Sequence, residues 1–165
     1  MDLKRIWRHI LMNSFQVKRS FSEAVLDAIQ AAVKQSEKTH SAEIRFVVEG
    51  ELTWAQLLTD MSARARALEV FSHLRIWDTE DNNGVLIYVL LADRKVEIIA
   101  DRGINKHASE DFWRATCSQI QEEFRVGRFE AGSLKGVEAI SALLQTHFPY
   151  SGGNINELPD RPLLM

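Results

Sequence analysis

The tripeptide Ala-Asp-Arg occurs twice within "LLADRKVEIIADRG", at Ala92-Asp93-Arg94 and again at Ala100-Asp101-Arg102. An adjacent carboxylate and guanidinium can hold a cation, hold an anion or pair with each other, so the chain between the copies decides whether they share a ligand. That chain, "KVEIIA", reads as a strand, and at about 3.3 Å per residue it separates the two aspartates by roughly 20 to 25 Å. The copies therefore belong to two sites. Asp93 and Arg94 are expected beside Glu49 and Glu51, at the C-terminal end of a parallel neighbouring strand. Asp101 and Arg102 are expected beside the loop "DTEDNN" at the opposite edge.

That loop, Asp78-Thr79-Glu80-Asp81-Asn82-Asn83, is the densest run of oxygen donors in the sequence. Hard cations such as Ca²⁺ gather several carboxylate and amide oxygens at once, which makes Asp78, Asp81, Asn82 and Asp101 the candidate metal set. The loop lacks the spacing and glycine of an EF-hand, and Asp and Asn also populate turns for backbone reasons. Arg102 and Arg94 are the candidate anion or phosphate ligands, and Asp93, Glu49 and Glu51 form an alternative edge site. Other chemistry has little support. His9, His40, His73, His107 and His147 offer no pair at the spacing that puts two imidazoles on one helix face, so zinc is not expected. Cys117 lies beside an apolar helical stripe, as a small core residue does. Neither a phosphate-cradling glycine loop nor a Gly-x-Ser-x-Gly elbow occurs.

The elements that position these residues follow from periodicity. Ser20 and Glu23 have capping-box spacing before a helix carrying Val25, Ala28, Ile29, Ala32 and Val33. "AEIRFVVE" alternates Ile44, Phe46 and Val48 against Glu43, Arg45 and Glu49, predicting a strand with one drier face. Thr53 and Gln56 suit a second capping box, opening a helix to about Ser72. "GVLIYVLLA" is apolar without alternation, so it predicts a strand covered on both faces, and "KVEIIA" returns as a charged antiparallel edge strand. Ser109 caps a helix that Gly127 closes, and a last helix ends before Pro149. The expected fold is α/β, a three-layer α/β/α sandwich around a small mixed sheet with a central hairpin.

A chain of 165 residues with 45% hydrophobic and 26% charged side chains supplies one globular core. Its parts are a basic amphipathic helix over 1–19, the α/β domain over 20–148 and an extended tail over 149–165. Charge is uneven: residues 1–19 hold five Lys and Arg against one Asp, while the whole chain has a net charge of −3. Leu3, Ile6, Trp7, Ile10 and Leu11 share one helical stripe, with Lys4, Arg5 and Arg8 beside or opposite it. Such a helix either docks on a membrane surface or protein partner through Lys4, Arg5, Trp7 and Arg8, or packs its stripe on its own domain and leaves the cations in water. No long basic run tracks the chain, so nucleic acid is not an expected partner. Lys4, Arg5, Arg8 and His9 interrupt the apolar positions that an export signal needs, and no stretch has the roughly 18 apolar residues of a spanning helix. The expected location is cytoplasmic, with peripheral membrane contact through the first helix.

Asn83-Gly84-Val85-Leu86, Asp93-Arg94, Gly103 and Phe124-Arg125-x-Gly127-x-Phe129-x-x-Gly132, in that order and spacing, resemble the TPM-domain family over about residues 40–146. The resemblance implies an α/β/α sandwich. It also implies accessory roles in photosystem repair and at acetylcholine receptors, Ca²⁺ binding by some members and acid phosphatase activity in a plant chloroplast member. Two functions follow as expectations. One is a non-catalytic interaction domain that engages a protein partner or membrane surface and is tuned by Ca²⁺. The alternative is a divalent-metal-dependent phosphatase in which Asp81 and Asp101 hold the ion and Arg102 or Arg94 steadies the phosphoryl oxygens.

Overall fold

The computed structural model describes residues 2–150, 152 and 155–165. Three strands meet the expectation: β1 (Glu43–Glu49), β2 (Gly84–Leu90) and β3 (Lys95–Ala100). β1 and β2 run parallel, with Glu43 opposite Gly84 and Glu49 opposite Leu90, and β2 and β3 form the antiparallel hairpin. The C-terminal segment joins the sheet: β4 (Leu163–Leu164) pairs parallel to β1, giving the order β3-β2-β1-β4.

Helices cover both faces, as the unbroken apolar run of β2 requires. On one face α3 (Glu23–Ser36), α7 (Glu110–Arg125) and α8 (Phe129–His147) bury Ile44, Phe46, Val85, Ile87 and Ile98. On the other, α4 (Trp54–Leu58) and α5 (Ala63–His73) bury Val47, Leu86, Tyr88, Leu90 and Ile99. Each large apolar side chain fully buried in these layers contributes about 1.5–3 kcal/mol. Gly84 sits where a Cβ would stand 2.0 Å from the Ile76 carbonyl oxygen, so only glycine lets the incoming loop lie against the start of β2.

Several expectations need correction. The start of α3 is capped by Ser22, whose hydroxyl accepts from the Val25 N–H; Ser20 instead ends a preceding short helix, α2 (Ser14–Ser20). The Thr53–Gln56 capping box is present, but its helix stops at Leu58, and Asp60 at φ 52° turns the chain before Ser62 caps α5. The basic N-terminal helix is two pieces, α1 (Leu3–Leu11) and α2, broken at Met12-Asn13 with Asn13 capping the second. The polar face of β1 is not wet: all seven of its residues are buried.

Candidate functional site

The sheet has two acidic edges, and Asp93 and Asp101 stand at opposite ends of β3, as the strand between them dictates. At the first edge Asp93 lies in the four-residue hairpin loop Leu91–Arg94, which the Arg94 N–H closes onto the Leu91 carbonyl. Arg94 takes φ 54°, the left-handed value that hairpins of this length place at their last loop position and usually fill with glycine. The Asp93 carboxylate faces α1. Arg5 donates to it through Nε at 3.0 Å and Nη2 at 2.7 Å, His9 Nε2 lies 3.0 Å from Oδ1, and Arg8 stands at 3.8 Å. The Leu52 N–H donates to His9 Nδ1, which selects the tautomer that donates from Nε2 to Asp93. Burial works to raise the Asp93 carboxyl, but hydrogen bonds and charge from Arg5 and His9 outweigh it and hold the pKa below its ordinary value.

Glu49 lies at the same edge and has its own partners. Arg66 grips it through Nε and Nη2 at 2.9 Å each, and the buried Tyr88 hydroxyl donates to Oε2. Glu51 is exposed. The alternative edge set of Asp93, Glu49 and Glu51 is thus placed at one edge but not gathered around one point: two of its carboxylates are each held by a different arginine.

The second edge differs. Asp101 donates its N–H to the Gly84 carbonyl, and its Oδ1 accepts from the Arg102 N–H at the start of a short unexpected helix, α6 (Arg102–Asn105). Its other oxygen, Oδ2, is buried with no hydrogen-bond partner among the described residues, as are Asn83 Oδ1 and Glu43 Oε1. All three residues surround the start of β2: Glu43 is opposite Gly84, Asn83 precedes it and Asp101 bonds it. Gly103 brings the chain against the loop so closely that a Cβ there would lie 2.4 Å from the Asn82 carbonyl oxygen and 3.3 Å from that of Asp81. Asp78, Asp81 and Asn82 are exposed, with Asn82 in a left-handed turn at φ 51°, and the Arg102 side chain is exposed as well. Among the described residues no three His, Cys, Asp or Glu converge as a metal cluster. A cation here would draw on Asp101, amide and backbone oxygens, a donor set that suits Ca²⁺ and not zinc.

Sequence reasoning missed Glu43 and Asn83. Glu43 lay on the face read as wet; it is covered by the C-terminal segment, whose Leu158 N–H donates to Glu43 Oε2. Burial raises the Glu43 pKa, and it pushes nearby Glu37, which accepts from the Ile44 N–H, up to about 8. His107 and His147, far apart in sequence, stack with ring centroids 4.4 Å apart. Cys117 is half-buried and its thiol is pushed up to about 11 by burial, the behaviour of a packing residue.

The N-terminal helix docks the opposite way from the self-packing expectation. Arg5 is largely buried and His9 fully so, holding α1 to the body through Asp93, Asp60 and the Met61 carbonyl. The apolar stripe faces out, with Leu3, Trp7, Ile10 and Leu11 each more than half exposed, and Phe15 on α2 is 72% exposed. No helix among the described residues is long and apolar enough to cross a membrane.

A parallel β1–helix–β2 crossover, a β2–β3 hairpin and helices on both faces are the frame in which these edges sit, and this frame is one that known domains share. The chain belongs to the TPM-domain family, whose model matches residues 16–143. Among solved structures it is similar to the BA42 protein of the psychrophilic bacterium Bizionia argentinensis, at 34% identity and a TM-score of 0.76, covering 87% of this chain and 94% of that one. It also shares its fold with the N-terminal domain of a P. gingivalis protein, at 19% identity and a TM-score of 0.61, covering 77% and 78% of the two chains. No curated protein matches the chain.

Proposed function

We propose that the protein is a non-catalytic accessory domain that docks on an anionic membrane surface through α1 and is tuned by a divalent cation at the Asp101 edge. The outward apolar face of α1 carries this reading. A globular domain turns such a stripe inward unless something else covers it. Here buried Arg5 and His9 hold the helix with Leu3, Trp7, Ile10 and Leu11 in solvent, flanked by exposed Lys4 and Arg8. Aromatic and aliphatic side chains bordered by cations suit the interface of a bilayer with acidic lipids. The unpartnered Oδ2 of Asp101 supports the cation: a buried polar atom without a partner calls for a water or an ion.

Co-sedimentation with vesicles tests the docking. Binding to phosphatidylserine-containing vesicles, weakened by salt and reduced at least about tenfold in Trp7→Ser, is the expected result. Equal binding to neutral vesicles or none at all would overturn it, and with none the exposed stripe becomes the contact for a protein partner. Amide shifts on Ca²⁺ titration test the cation: saturable changes at residues 78–83 and 101–103 are expected.

The phosphatase reading is favoured by one juxtaposition, the free Oδ2 of Asp101 beside the exposed Arg102. In that case the ion would supply charge stabilisation, Asp81 and Asp101 would hold it, and Arg102 would orient an anionic substrate; Arg94, the other guanidinium expected to do so, stands at the opposite end of β3 and is too far to take part. Metal-dependent hydrolysis of a simple phosphomonoester, lost in Asp101→Ala with the fold intact, would establish it over the non-catalytic reading.

A further inference from the structure

Two cavities of the domain treat charge differently. One, about 420 Å³ between α5, β3 and α7, is lined by both signs: Arg64, Lys95 and Arg114 face Glu97 and Glu110, with Arg64 3.7 Å from Glu97. The other, about 550 Å³, lies where α1 meets α2, beside the hairpin loop and the α7–α8 turn. Among the described residues no carboxylate lines it. Its volume falls within the roughly 300 to 1,000 Å³ of small-molecule sites.

The second cavity has an apolar wall and a cationic rim. Met12, Leu91, Phe124 and Phe129 are half-buried there, and Val89 is fully buried on β2. Arg94, Lys95 and Arg125 are exposed around it. Neither Arg94 nor Arg125 has a hydrogen bond or ion pair with any described side chain. The adjacent Asp93 does not neutralise Arg94, because its carboxylate is held by Arg5 and His9 on α1. Gln16, Ser20 and Gln121 add polar groups beside the rim.

We propose that this cavity binds a single-chain anionic amphiphile, with the chain on the Val89, Phe124 and Phe129 wall and the head between Arg94, Lys95 and Arg125. The apolar wall asks for a hydrocarbon body, and two unpaired guanidiniums beside an ammonium ask for a carboxylate or phosphate head. The site is separate from the Asp101 edge and from the outer face of α1.

Titration of the full chain with decanoate and with decyl phosphate, both as monomers below micelle formation, tests it without vesicles, so a failure of membrane docking does not bear on the result. Saturable amide shifts at residues 89–95 and 121–129 are expected. Arg94→Gly, which suits the left-handed backbone at that position, and Arg125→Gln should each weaken binding about tenfold, the effect of one lost charge-assisted hydrogen bond. Decanol and inorganic phosphate should each bind at least about tenfold more weakly than the amphiphile. The tighter of the two probes identifies the head as carboxylate or phosphate. No saturable binding of either probe, equal binding of decanol, equal binding of inorganic phosphate, or unchanged affinity in both folded variants would each overturn the proposal.

Discussion

The two ends of β3 carry the same tripeptide and use it for opposite purposes. At Asp93 the carboxylate is satisfied by Arg5 and His9, and its neighbour Glu49 by Arg66 and Tyr88. At Asp101 one oxygen caps a helical turn and the other has no partner among the described residues, and Glu43 and Asn83, whose backbones flank the start of β2, each bury one unpartnered oxygen as well. The pKa directions agree with this division: Asp93 is held below its ordinary value, whereas Glu37 and Glu43 near the other edge are raised. The first edge holds the fold together, and the second keeps oxygen donors that the fold itself does not use.

The largest difference should appear on truncating the satisfied edge. Glu49→Ala leaves Arg66 without its main partner and strands the Tyr88 hydroxyl in the core, a loss expected at about 3–5 kcal/mol and readable as a lower urea midpoint. Asp93→Ala should cost less, about 2–3 kcal/mol, because α1 can detach and return Arg5 and His9 to water. Amide exchange should then accelerate across residues 3–11 and leave β1 and β2 protected. Uniform acceleration through the sheet would instead make the Asp93 network part of the global core.

The pH dependence sharpens the contrast. Asp93 has a depressed folded pKa, so its contribution is complete above the unfolded value near 4 and disappears as pH falls through the folded value. Glu37 has the reverse sign. Its folded pKa is pushed up to about 8 from 4.5, so its contribution is complete below 4.5 and declines as pH rises to about 8. Glu37→Gln keeps an oxygen for the Ile44 N–H and removes the ionisation. Its melting temperature relative to the parent should therefore rise between pH 5 and pH 9, and a constant difference would contradict the burial of this carboxyl.

The layers of the fold were legible because β2 and the helical stripes announce their own burial in local sequence. The edges were not, for reasons that can be assigned to particular residues. Arg45 looked solvated, yet it donates to the carbonyls of Pro159 and Arg161, more than a hundred residues away in a segment with little apolar signal. The stripe of α1 was readable as amphipathic, but its direction depends on Asp93 and Leu52 receiving Arg5 and His9. Strand spacing alone separated the two tripeptides. Which of their acids would find partners depended on tertiary contacts that no local pattern encodes.

The smallest stability effect belongs to the second edge and is the most decisive for function. Asp101→Asn preserves an oxygen to accept from the Arg102 N–H, and Glu43→Gln preserves one for the Leu158 N–H. Neither removes a partner from a buried cation, so each should change the unfolding free energy by no more than about 0.5 kcal/mol without metal. With Ca²⁺ the variants and parent should diverge. The parent gains stability in proportion to the logarithm of the ion concentration above Kd, while Asp101→Asn loses a formal charge from the donor set and should need at least about tenfold more Ca²⁺ for the same gain. Thermal unfolding across a calcium series checks both halves at once. A metal-free loss as large as that of Asp93→Ala would make the two edges equivalent structural devices, and identical calcium responses would remove Asp101 from the cation site.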